Sequence, residues 1–246
     1  MDYFGIAVAV VALAFGGVLK GATGAGAPLL AIPLLSMLYN VPLAVAVFTV
    51  PNLVSNLWQG WHFRHDRPRP VLTWGFAIAG AVGAALGSAI LVSFAPEMLL
   101  LTVALAVVLY VAFRLARPDW SLGLDLAARI AAPVGFLGGI LQGATGISAP
   151  VSITFLNATG LERRQFIATI AVFFSAMSFV QIPFLYAFEV LTPTRLALSG
   201  LALVPLLAGM PLGAALARRF DKSTFDTIIL AILAAIALRL FWSALA

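Results

Sequence analysis

Apolar residues along this chain come in runs of about 20, the length needed to cross a bilayer. Short polar breaks part them, and the runs fall at 3–38, 42–62, 71–94, 97–116, 127–159, 165–188, 193–217 and 223–245. Backbone polar groups in lipid must be paired within their own segment, and these runs are far too long for barrel strands. The pattern therefore predicts an all-α polytopic membrane protein. The first and fifth runs are too long for one crossing. A glycine-rich break interrupts each: Gly21-Ala22-Thr23-Gly24-Ala25-Gly26-Ala27-Pro28 in the first, Gly143-Ala144-Thr145-Gly146-Ile147-Ser148-Ala149-Pro150 in the fifth.

The breaks are copies of one another. Gly16-Gly17-Val18-Leu19-Lys20-Gly21-Ala22-Thr23-Gly24 matches Gly138-Gly139-Ile140-Leu141-Gln142-Gly143-Ala144-Thr145-Gly146 at a constant offset of 122. Gln59 and Gln181 keep that offset, and Gly83-Ala84-Ala85-Leu86-Gly87 resembles Gly209-Met210-Pro211-Leu212-Gly213 with a slip of four. An internal duplication follows, with one membrane repeat over 1–120 and a second over 121–246.

Charge sets the expected orientation. Arg64, Arg67, Arg69, Arg114, Arg117, Arg129, Arg163, Arg164, Arg218, Arg219 and Lys222 hold eleven of the 14 Lys and Arg, all between runs or within three residues of a run's end. The positive-inside rule places these segments in the cytoplasm and those around Glu97 and Glu189 outside. The fifth run has basic clusters at both ends, so it is a hairpin folded at its break, and the first, by repeat, is a hairpin from the outer side. Each half is then a broken-helix hairpin plus three crossings, and the second half is inverted relative to the first. Tyr3, Tyr39, Tyr186 and Trp242 fall at outer ends, and Trp61, Trp74 and Trp120 at inner ends, as interfacial aromatics do. Met1-Asp2-Tyr3 lacks a basic leader region, so no signal peptide is expected.

Composition agrees and excludes several classes. Apolar residues make up 63% of 246, charged residues 9%, and mean hydropathy is +1.09. A soluble domain carries about a quarter of its residues charged. The absence of cysteine removes disulfides, thiol catalysis and cysteine metal sites. The net charge of +5 is scattered between runs rather than gathered on a nucleic-acid face. The expected partners are a small anion and the lipid bilayer, with no nucleic acid and no cofactor; homo-oligomerisation is left open.

The two breaks carry the candidate chemistry. Inverted repeats with broken helices hold substrate near the midplane, where the breaks are expected to meet. Gly21, Gly24, Gly26, Gly143 and Gly146 let backbone N–H groups approach a ligand, and Pro28 and Pro150 suit the first turn of a new helix. The positive dipole ends of those helices then point at the site. Lys20 adds a formal charge; Thr23, Thr145, Ser148 and Gln142 add polar contacts. Gly17/Gly21 and Gly139/Gly143 also form GxxxG, a helix-packing signal. Gln59 and Gln181 are further candidates, as are Asn52 and Asn56, whose repeat partners are Phe174 and Ser178. His62 and His65 belong to a basic loop. All nine Asp and Glu lie near run ends or in loops, leaving no mid-membrane carboxylate for a proton relay.

At these breaks the chain resembles the sulfite exporter TauE/SafE family of bacterial anion transporters. The resemblance rests on the paired Gly-Ala-Thr-Gly-x-x-Ala-Pro segments at 21–28 and 143–150. It extends to Val204-Pro205-Leu206-Leu207-Ala208-Gly209-Met210-Pro211-Leu212-Gly213 running into Arg218. It implies a multi-pass protein of the bacterial inner membrane that moves sulfite or an organosulfonate, mostly outward, with Lys20, Gly21, Ala22, Thr23, Gly24 and Gly26 lining the path. Gln142, Gly143, Ala144, Thr145, Gly146 and Ser148 would line it from the second break. The alternatives are an anion channel and a membrane enzyme using Thr23 or Ser148 with Lys20 as a hydroxyl–lysine pair.

Overall fold

Capping residues and prolines mark where the helices start. Asn40 accepts the Leu43 N–H at 2.8 Å ahead of a first turn containing Pro42. Thr192 accepts the Arg195 N–H at 3.3 Å beside Pro193, and Glu162 with Gln165 closes a capping box. These acceptors hold N–H groups that a first turn leaves open, and proline has none to hold. The computed structural model describes residues 3–117, 119–219, 230–236, 238–239 and 242. Its helices are α1 (Tyr3–Thr23), α2 (Ala27–Leu38), α3 (Val41–His62), α4 (Pro70–Ser93), α5 (Pro96–Ala116), α6 (Leu124–Thr145), α7 (Ala149–Ala158), α8 (Arg163–Ala187) and α9 (Pro193–Leu216). A 3-10 turn at Arg64–Asp66 joins α3 to α4, and no strand occurs among the described residues.

Seven of these helices, all but α2 and α7, are long and apolar enough to cross a membrane. The eighth apolar run lies largely outside the described residues, though 230–236 are helical with Leu233 and Ile236 buried. Asp2, Asp221, Lys222 and Asp226 also lie outside them. The first and fifth runs do fold back at their breaks. Their arms are unequal: α1 has 21 residues and α6 has 22, full crossing length, whereas α2 has 12 and α7 has 10. Large apolar side chains such as Phe179, Leu201 and Val204 face outward over much of the bundle, a surface suited to lipid.

Glycine lets pairs of helices touch backbone to backbone. A Cβ on Gly17 or Gly21 would overlap the Leu206 or Met210 carbonyl of α9, and one on Gly209 or Gly213 the Ala14 or Val18 carbonyl of α1. The same holds between α4 and α6, where Gly83 and Gly87 meet the Phe136 and Ile140 carbonyls, and Gly139 and Gly143 those of Gly80 and Ala84. Both GxxxG pairs thus pack helices. The antiparallel pair α3 and α8 bridges them, with Asn52 opposite Ser178 and Gly60 opposite Ala171.

One end of the bundle is rich in arginine. Arg164 grips Asp66 through two hydrogen bonds of 2.9 and 3.0 Å, and Arg69 pairs with Asp125. The Arg164 hydrogen bonds hold the half-buried Asp66 carboxyl below its ordinary pKa. Arg64 lies over Trp61 at 4.5 Å and Arg67 over Trp74 at 5.7 Å, while His62 stacks on Trp58 and His65 sits in the 3-10 turn.

Candidate functional site

Each break is held by the same backbone chemistry. Gly24 (φ 90°) and Gly146 (φ 77°) adopt the left-handed conformation that suits glycine. Their N–H groups return to the Lys20 and Gln142 carbonyls at 2.6 and 2.7 Å. Thr23 donates its hydroxyl to the Leu19 carbonyl and accepts the Ala25 and Gly26 N–H groups at 3.3 and 3.1 Å. Thr145 donates to Leu141 and accepts from Ile147. Both threonines therefore serve the break itself and take up N–H groups that the sequence assigned to a ligand. Ser148 is buried and lies 3.0 Å from the Ser152 hydroxyl, and Pro28 and Pro150 stand in the first turns of α2 and α7.

The breaks do not meet at the middle of the bundle, and here the expectation needs correcting. The first packs against the start of α8, with Gly24 on Ile167 and Arg163 donating to the Gly21 and Ala22 carbonyls at 3.4 and 3.1 Å. The second packs against Ile32 and against Val45 at the start of α3. Because α3 and α8 are antiparallel, these positions lie at opposite ends of the pair, roughly 27 Å apart at 1.5 Å per residue. The cause is arm length: a full-length arm carries each break across the bundle.

A polar track occupies the space between. The Lys20 ammonium donates to Asn56 Oδ1 at 2.7 Å, and Asn56 Nδ2 donates to the Asn52 carbonyl and to Asn52 Oδ1 at 2.7 and 2.8 Å. Asn52 Nδ2 then reaches Ser178 at 3.0 Å. Lys20 is 1% exposed, with Phe174 at 6.0 Å. Nearer the second break, Gln181 donates to the Gly143 carbonyl at 3.3 Å, and a void of about 10 Å³ touches Thr49, Asn52, Gln142 and Gln181. Gln142 Oε1 and Gln59 Oε1 are buried without a partner. Ala144 backs onto Gly87. Of the sequence candidates, Lys20, Asn52 and Asn56 form one hydrogen-bonded chain, and Gln142 and Gln181 flank its far end. Thr23 and Ser148 bond elsewhere than to Lys20.

A cavity of about 630 Å³ opens at the arginine-rich end. Its floor is the first break at Thr23, Ala25 and Gly26. One stripe of α5 and its C-cap (Tyr110, Phe113, Arg114 and then Arg117) and one of α7 (Ile153, Thr154, Asn157, Ala158) form its walls, with Arg163 and Trp120 beside them. Sequence reasoning missed this cavity. The i, i+3, i+4, i+7 stripe on α5 was readable, but the arginines in it served only as orientation signals.

Membrane-crossing helices, glycine-packed pairs and a buried lysine between two broken helices define a multi-pass membrane protein with an internal polar path. The chain belongs to the sulfite exporter TauE/SafE family, a family of membrane transporters, whose model matches residues 8–240. No curated protein and no solved structure matches the chain.

Proposed function

We propose that this protein is a secondary transporter that exports a small sulfur-containing anion, sulfite or an organosulfonate, across a bacterial inner membrane by alternating access. Its transit site is the track from Lys20 to Gln142, between the two breaks, and its arginine-rich end faces the cytoplasm. The observation that carries this reading is Lys20. Its buried ammonium has a neutral amide as its hydrogen-bond partner, and every described carboxylate lies at a helix end or in a loop. A buried charge without a counter-charge is costly, and an arriving anion supplies one.

The two halves act as inverted copies, over 1–120 and 121–246. Helix pairing supports this: α1 rests on α9 as α6 rests on α4, and α3 meets α9 as α8 meets α4. Gly24 on Ile167 and Gly146 on Val45 are equivalent at the offset of 122. Family membership supports a sulfur-containing substrate.

Flux of labelled sulfite into proteoliposomes tests the proposal. Wild type should show saturable flux, and Lys20→Gln should lose about 10- to 100-fold in kcat/KM, the worth of one charge-assisted contact. Competition by unlabelled sulfate, thiosulfate, sulfoacetate and taurine ranks the substrates. Flux that never saturates would mean a channel, and no flux above empty liposomes removes sulfite.

A further inference from the structure

The cavity at the arginine-rich end has a polar wall that the fold does not require. Thr23, Thr49, Thr102, Thr145 and Thr169 each return their hydroxyl to a backbone carbonyl four residues earlier. Thr154 does not. Its side chain lines the cavity at 9% exposure, and its hydroxyl oxygen, buried within that wall, has no partner. Leaving such a group unsatisfied costs about 1–3 kcal/mol. Thr73 on α4 shares the condition but lies on neither this cavity nor the void near the second break. Asn157, one turn beyond Thr154, is exposed on the same face of α7. The positions 122 residues earlier are Ile32 and Leu35, both buried and apolar, so the repeat tolerates hydrocarbon there. Arg117 closes the facing stripe of α5, and Arg163 is anchored on the Gly21 and Ala22 carbonyls. A guanidinium has five N–H donors, so that anchoring leaves others for a ligand.

We infer that this cavity holds a second oxyanion site, separate from Lys20, built from Thr154, Asn157, Arg117 and Arg163. It rests on the transporter reading: a sulfur oxyanion is taken from water here before it passes to the track. Lys20 is not on the cavity wall; Leu19 and Ala22 are. Arginine forks suit oxyanions, and the Thr154 hydroxyl and Asn157 amide would add neutral contacts that salt does not screen.

Trp120 lines the cavity and reports its occupancy. Sulfite, then sulfate, is titrated into the purified protein in detergent at constant ionic strength, with Trp120→Phe as the fluorescence blank. Lys20→Gln should keep the Trp120 response with a midpoint within about twofold of wild type. Thr154→Val should raise the midpoint about tenfold, one lost hydrogen bond to a charged group. Its hydroxyl has no protein partner, so the substitution removes an unsatisfied group and should hold or raise the melting temperature. If that variant does not fold, Arg117→Gln at the exposed end of α5 should give the same rise. Loss of the response in Lys20→Gln would overturn the inference, as would an unmoved midpoint in Thr154→Val or no response in wild type. Wild type that binds with these variant responses but carries no flux would keep the site and remove the transporter reading.

Discussion

A threonine beside a helix break can serve a ligand or its own backbone, and Thr23 and Thr145 do the second. The Thr23 hydroxyl bridges the Leu19 carbonyl at the end of α1 to the Ala25 and Gly26 N–H groups ahead of α2. Losing it should cost about 1–2 kcal/mol, as a lost cap does. Thr23→Val should then melt roughly 2–8 °C below wild type, while Thr23→Ser, which keeps the hydroxyl, should melt close to it. Calorimetry on the detergent-solubilised protein reads both. A Val variant that melts like wild type but loses flux would return Thr23 to the ligand. The repeated Gly-Ala-Thr-Gly showed that these residues matter but not which partner each hydroxyl takes, because that depends on which N–H groups the bend leaves open. Lys20 was more legible: 17 residues on from Tyr3, in an apolar run, a lysine has nowhere to go but inward.

Element boundaries were written in hydropathy, proline and glycine, and they agree with the helices closely. The depth of the breaks differs from the midplane expectation, although the sequence carries its signal. Counting from Tyr3 to Thr23 gives 21 residues, a full membrane thickness, so the first break lies at the far end of its arm. Packing partners were legible only as motifs: GxxxG announces a close contact without naming the helix that receives it. The structure makes that contact testable. Gly83→Val would drive a side chain into the Phe136 carbonyl of α6, whereas the same change at Gly75 or Gly200 meets nothing within 4 Å. Overpacking costs about 1–3 kcal/mol when side chains can yield, and backbone yields less. Gly83→Val should therefore fail to give a monodisperse peak in size-exclusion chromatography, while Gly75→Val and Gly200→Val behave as wild type.

At the scale of the molecule, the two breaks lie at opposite ends of the α3–α8 pair, and among the described residues only the first borders an open cavity. The first break forms the floor of the arginine-rich cavity, whereas Ser148 at the second is fully buried. If the halves are the inverted copies proposed above, the chain should reach a second state in which this asymmetry reverses, since each half can take the other's arrangement. The absence of cysteine makes the reversal directly measurable. Asn157→Cys, exposed on the cavity wall, should react with a membrane-impermeant maleimide only in inside-out vesicles, which present the arginine-rich end. Ser148→Cys should resist labelling while the cavity is open and become reactive from the opposite face when sulfite gradients cycle the protein. The two rates should move in opposite directions, because one state exposes one break. Labelling of Asn157→Cys from the other face would reverse the orientation. A Ser148→Cys that stays unreactive through cycling would leave a static bundle with a single mouth, and alternating access would have to be given up.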